Sequence, residues 1–465
     1  MVRTLHCGRS NPGSNPGHGN IHLLFFFFQA KKDIEQGGLI LQEDLLVRGP
    51  VKKTKPVCLT CYSLIDWSDC VYCKKCNFIF CHDWCNAADE HQAECKVLPQ
   101  VDSYNFNYTD FEPMYDVILP LRILLLKDSP KWKPFIKMMS QLENHKKSDK
   151  WKEDQKHVID FLLELKLPDV DENLIYTILA IIETNSMDKD FQGRGVKMIH
   201  PLASLLSHNC SPNVAQFYSG VAQGNNLQIR ATKDIKQGQK LTISYIDQLL
   251  PTCIRQRLLK QDKFFDCQCS RCMKTEEEAF VQKLDPDQAK QVIDKAFEES
   301  EQIINKPEHW TVDLAEMYLK KYGNFLDPNH PLMARIKVKL AGFYGRCPGY
   351  TMMDMSYNRN IPDRKKQVCQ EALEALEKLQ PGLSTTRGLL LYELHLPIFM
   401  SAQMDYDNRI IDVVEAKKQF EESLKYLHEA IELLKYEQNG TPEGAIYVGA
   451  VMQAQQLDVF VQKVY

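Results

Sequence analysis

The sequence predicts an α+β protein in which a β domain, interrupted by a cysteine-rich block and a helical segment, is followed by an all-α C-terminal domain. Three observations predict it. Strand-like patterning at 33–49 is separated from more of it at 196–247, eight cysteines crowd between Cys58 and Cys95, and everything beyond about residue 280 reads as amphipathic helix. The 465 residues exceed one small domain, and 44% hydrophobic with 25% charged residues is the balance of a soluble globular chain. A net charge of −4 leaves no basic footprint, so direct nucleic-acid binding is not expected.

Residues 1–29 carry the duplicated "SNPGSNPG", whose turn formers predict a disordered leader. "LLFFFF" at 23–28 has the look of a short signal-peptide core, but thiolates just downstream would be oxidised in the secretory pathway. A reducing location, cytoplasmic and nuclear, is therefore expected. No apolar run reaches the roughly 18–20 residues of a membrane span, so no membrane is expected as a partner. Within 30–57, "DIEQGGLILQEDLLVRG" alternates apolar and polar residues after a glycine turn and predicts two short strands. The cysteine block occupies 58–95. The span 96–195 holds helical patterns such as "DQKHVIDFLLELKL" and "ENLIYTILAIIETN", with apolar residues recurring at three and four. Residues 196–250 return to strands and turns and end in "GQKLTISYID", and 251–278 bring a second cysteine group. From 279 to 465 the helices form hairpins of roughly tetratricopeptide length without a strict repeat, "AKKQFEESLKYLHEAIELLKYEQ" being the clearest. "FLDPNHPLMARIKVKLAGFYGR" and "GLLLYELHLPIFMSAQMDY" read as paired helices.

The block at 58–95 spells Cys58-x2-Cys61, Cys73-x2-Cys76, Cys81-x3-Cys85 and His91-x3-Cys95. Seven thiols and one imidazole suffice for two closed tetrahedral zinc sites, which serve structure and not catalysis. Interleaving braces a module too small for its own core, so Cys58, Cys61, Cys81 and Cys85 are assigned to one ion. Cys73, Cys76, His91 and Cys95 are assigned to the other. Cys70 also makes C-x2-C with Cys73, and His82 is near, which leaves the pairing open by one ligand. "FFDCQCSRC" adds Cys267, Cys269 and Cys272, one ligand short of a tetrahedron, and Cys210 in "LLSHNCSPNV" is the expected fourth. Three zinc ions are thus expected. The remaining five, Cys7, Cys70, Cys253, Cys347 and Cys369, have no assigned partner and are read as structural thiols.

The order of the first block and its closing "HQAEC" resemble the MYND zinc finger. "SHNC", "GQKLTISYID" and "FDCQCSRC" resemble the SET domain with its post-SET loop. A SET β-fold split by a MYND finger and followed by a TPR-like helical domain is similar to the SMYD family of protein lysine methyltransferases, the arthropod SmydA branch in particular. The resemblance covers about residues 30–465. It implies S-adenosylmethionine as cofactor, a histone or non-histone lysine as substrate, and a proline-rich partner peptide on the finger. Residue by residue, it implies Tyr245 as the catalytic channel tyrosine, also at the cofactor, with His145, Asn185, Ser207, His208 and Phe265 as further cofactor contacts. "KFFD" offers Phe264 beside Phe265.

Three positions depart from the pattern. Ser207 stands where the family has asparagine, which exchanges an amide for one short hydroxyl. Lys263 stands where many members have a second channel tyrosine. No glycine lies between Gly19 and Gly37, where the family's cofactor loop has a Gly-Arg-Gly type sequence, so an incomplete pocket edge is expected there. Two functions follow: a SAM-dependent protein-lysine methyltransferase, or a weak or inactive SET/MYND adaptor in transcriptional regulation.

Overall fold

The computed structural model describes residues 6–7, 26–52, 54–98, 115–191, 193–220, 224–274, 280–281, 284–305 and 311–463. The leader, residues 1–29, and with it the expected defect in the cofactor loop, lies largely outside the described residues. Two of its short strands, His6–Cys7 and Phe26–Phe27, pair antiparallel.

Both halves of the split β domain form as expected, and each completes a sheet begun far away in sequence. Leu39–Glu43 adds to the hairpin Val214–Tyr218 and Leu227–Ala231, giving a three-stranded antiparallel sheet. Val47–Pro50 pairs with Gly195–Ile199, which in turn pairs with Met187–Asp190. The last of these strands falls inside the stretch expected to be helical, because it is the short first arm of a hairpin and "MDKD" alone carries no alternation. Ser207–His208 runs parallel to Thr242–Ile243, and Asn213 ties the same region down by accepting from the Thr242 amide at 2.8 Å.

Tyr115–Leu125 is buried along almost its whole length and lies on Val47–Pro50. The contact requires a glycine: a Cβ on Gly49 would stand 2.6 Å from Leu119 Cβ. Glu172–Asn185 begins where the Asp171 carboxylate accepts from the Leu174 amide at 2.8 Å, and it buries Ile175, Ile178, Leu179 and Ile182 on one stripe. The finger is a short hairpin, Val71–Tyr72 with Ile79–Phe80, followed by the helices Asp83–Asn86 and Asp89–Val97. Its Leu59, Tyr62, Phe78 and Phe80 belong to the same apolar core as Leu119 and Ile178, so the finger is built into the body.

The C-terminal domain consists of helices between Pro286 and Lys463 around a separate core. Side-chain caps start several of them, among them Thr311, Thr351, Ser384 and Asp412. Of the two helices expected to pair, Pro331–Phe343 lies on Asn360–Leu379, while Thr385–Asp407 also packs on Val413–Leu434. The domain grips the β domain through Tyr436, which sits so close to the left-handed Gly37 (φ +81°) that a Cβ there would be 2.0 Å from its hydroxyl. The Arg230 guanidinium lies over the same ring at 4.7 Å, and the Leu383 amide donates to Thr232 O at 2.7 Å.

Candidate active site and three cysteine clusters

Twelve side chains converge as three groups: Cys58, Cys61, Cys81 and Cys85; Cys73, Cys76, His91 and Cys95; Cys210, Cys267, Cys269 and Cys272. Within each group the ligand atoms lie within 4.8 Å of one another. Representative sulfur separations are 3.4 Å for Cys61–Cys81, 3.6 Å for Cys73–Cys95 and 3.5 Å for Cys210–Cys272. A tetrahedral ion with Zn–S near 2.3 Å needs about 3.8 Å between sulfurs, so the donor sets fit zinc. Burial and the nearby Arg122 pull His91 down to about 4, which keeps its imidazole in the neutral, ligating form. Cys70 stays outside, its thiol 3.8 Å from Trp67 O, and His82 stacks on Trp84 at 5.6 Å. The open ligand in the finger is thereby assigned to Cys73.

Two features around the clusters were not anticipated. Arg122, buried, ion-pairs with Glu94 and donates to Tyr62 Oη at 2.8 Å and Leu59 O at 2.6 Å, which rivets the finger to the body. Arg255 and Arg271 are buried beside the third cluster: Arg255 Nη2 lies 3.8 Å from Cys272 Sγ, and Arg271 Nη1 is 3.3 Å from Cys210 O. Four thiolates on a divalent ion leave a site two charges negative, and two guanidinium groups offset that charge in a buried place.

Between the helical insert, the strands and the Thr252–Lys263 helix lies a cavity of about 710 Å³. It brings together His145, Asn185 and Tyr245, which come from three separate stretches. Asn185 ends its helix and spends both amide hydrogens on backbone, Met139 O at 2.6 Å and Ile181 O at 2.7 Å, so its Oδ1 is the group left to accept from a ligand. The Tyr245 hydroxyl donates to Leu206 O at 2.5 Å, and burial lifts its pKa to about 12, so the phenol is neutral with oxygen lone pairs to offer. Burial also lowers the pKa of His145, whose ring packs on Trp151 at 4.9 Å and meets Phe264 edge-on at 4.8 Å. Five carboxylates line the space (Asp154, Glu183, Asp188, Asp247 and Asp262) against two lysines, Lys197 and Lys263. The cavity favours cations.

Ser207, His208 and Phe265 do not line it. Ser207 takes part in the short parallel pairing, and His208 lies between Cys210 and Tyr245. Phe265 packs on the third cysteine cluster. The division of the two phenylalanines has a backbone cause: Phe264 caps its helix in the left-handed region (φ 59°, ψ 33°), which turns the chain so that Phe264 faces the cavity and Phe265 the cysteines. Lys263 donates to Glu183 O at 3.0 Å and Thr184 O at 3.1 Å, capping the helix that carries Asn185.

A SET-domain model matches residues 27–246. The chain is 23% identical over 253 residues to the Drosophila melanogaster SET domain-containing protein SmydA-8, isoform A, covering 52% of this chain and 53% of that protein. It is 29% identical over 246 residues to the human N-lysine methyltransferase SMYD2, covering 49% and 53%, and 28% identical over 219 residues to SMYD2-B of Danio rerio, covering 43% and 47%. The matched region thus spans about half the length of these relatives.

Proposed function

We propose that this chain, a SET-domain protein of the SMYD family, transfers a methyl group from S-adenosylmethionine to the ε-amine of a protein lysine. The observation that carries the reading is the convergence of the Tyr245 phenol and the Asn185 carboxamide on one acid-lined cavity. When bound, S-adenosylmethionine supplies an electrophilic methyl on a sulfonium. Asn185 Oδ1 is suited to accept from the donor's ammonium, and Phe264 with His145 and Trp151 offers an aromatic wall for its base. The carboxylates draw an incoming lysine ammonium, whose ordinary pKa is near 10.4. The donor's sulfonium, a second positive charge in the same cavity, would disfavour that ammonium, and the proton it gives up would leave to solvent. Tyr245 Oη, its own proton engaged by Leu206 O, is left to accept an N–H of the amine and hold its lone pair in line.

Lys263 does not count against this reading, since its ammonium is held by two backbone carbonyls. On the finger, Trp67, Tyr72 and Trp84 are 53%, 43% and 67% exposed, the kind of surface on which a proline-rich peptide docks. Free thiol clusters suit a cytoplasmic and nuclear location. The test is calorimetric titration of S-adenosylmethionine into the full chain, with Tyr245→Phe beside it. Binding should persist in the variant while methyl transfer to a lysine-bearing protein falls by about 10²–10⁴-fold. Absence of any binding heat at millimolar cofactor overturns the enzyme reading and leaves the adaptor.

A further inference from the structure

His208 makes two directed contacts that fix its tautomer. The Tyr245 backbone N–H donates to Nδ1 at 3.0 Å, so Nδ1 carries no proton. The ring's one hydrogen is then on Nε2, which lies 3.2 Å from Cys210 Sγ. Four sulfurs already complete the third group, and His208 is not one of its members, so the contact is an N–H···S bond to a ligand rather than a fifth ligand. The ring is wedged between Tyr245 and Phe265, with centroids at 5.2 and 5.8 Å. Tyr245 is meanwhile held at its other end by Leu206 O, two residues before His208.

We propose that His208 is a positioning residue: by donating to Cys210 Sγ and accepting from the Tyr245 amide, it makes the third metal site the anchor from which the Tyr245 phenol is aimed into the cavity. The inference rests on the reading of that cavity as a methyl-transfer site. It gives His208 a role through Tyr245 in place of direct contact with the cofactor. It also explains why a cysteine two residues after the histidine is buried against the loop at 267–272: the loop holds the sulfur, the sulfur holds the ring, and the ring holds the tyrosine.

Two substitutions separate the contacts. His208→Asn places a carboxamide oxygen near the Nδ1 position and loses the donor to sulfur. His208→Gln places an amide N–H near the Nε2 position and loses the acceptor for Tyr245. In the full chain labelled with [15N]tyrosine, with the Tyr245 signal assigned by Tyr245→Phe, exchange of the Tyr245 amide should accelerate at least about tenfold in the Gln variant and in His208→Ala, but stay near wild type in the Asn variant. With cobalt loaded into the cysteine sites, the thiolate-to-metal band should shift in the Asn and Ala variants and hold in the Gln variant. In His208→Ala, kcat should fall by about 10²-fold while the dissociation constant for S-adenosylmethionine changes less than about twofold. A rise in that dissociation constant with kcat preserved would make His208 a direct cofactor contact and overturn the proposal, as would unchanged Tyr245 exchange in both the Ala and Gln variants. If His208→Ala does not fold, the Asn and Gln pair decides alone. If the wild-type chain binds no cofactor, the proposed activity fails, while the exchange and cobalt measurements still judge the anchor.

Discussion

In the finger, all eight ligand side chains fall between Cys58 and Cys95, whereas in the third cluster Cys210 is 57 residues from Cys267. The same donor chemistry therefore has two different consequences. Local ligands brace a module that has only a two-residue hairpin and two short helices of its own. Distant ligands tie a loop after residue 266 to the strand region that carries Tyr245, and so act on the cavity. Metal loss should be a local injury in one region and a functional one in the other.

The sharpest break of that comparison is Cys210→Ser against Cys76→Ser. Each should cost the zinc of its own cluster, read by atomic emission as about one ion fewer per chain than in the wild type. Cys210→Ser should also abolish methyl transfer by about 10²-fold or more, because the tyrosine loses its anchor. Cys76→Ser should leave S-adenosylmethionine affinity within about threefold, since no residue of the finger lines the cavity. Equal loss in both would erase the distinction. Next in size is Arg122→Met, which leaves Glu94 buried without its cation and should cost the finger about 3–5 kcal/mol. Hydrogen exchange over residues 58–98 reads this, and Glu94→Gln in the same chain should recover part of it. The smallest expected effect distinguishes the neighbouring phenylalanines. Phe264→Gly relieves about 1 kcal/mol of left-handed backbone strain, so stability should hold or rise while cofactor affinity drops. Phe265→Ala should do the reverse, with a lower melting temperature, faster zinc release to a chelator and near-normal affinity.

The sequence was readable wherever chemistry is local. Ligand spacing pointed to eleven of the twelve clustered side chains, with Cys210 expected from the missing fourth donor, and the period-2 and period-3.6 patterns found the strands at 39–50 and the long helices. What was not readable depends on contacts between distant residues. Cys70 and Cys73 are indistinguishable by spacing, and only the hairpin at Val71–Phe80 shows which thiol meets Cys95. No periodicity reveals that Phe264 adopts the left-handed region, so Phe265 was the expected cofactor contact although Phe264 lines the cavity. Lys263 stands where the resemblance puts a second channel tyrosine, and sequence could not show that its ammonium is spent on the Glu183 and Thr184 carbonyls at the cavity's edge. A signal for Arg122 did exist: one cation inside "DVILPLRILLL" is a charge that burial obliges to find a partner.

The pairing of Leu39–Glu43 with Leu227–Ala231 also has a kinetic meaning. Contacts that span nearly two hundred residues cannot close while the chain is still emerging from the ribosome. The finger and the helical insert, whose contacts are short in sequence, can organise first. Until Ala231 has been synthesised, the strand at 39–43 waits without its partner. Nascent or truncated chains ending between the finger and that strand should therefore be the species that aggregate and recruit chaperones.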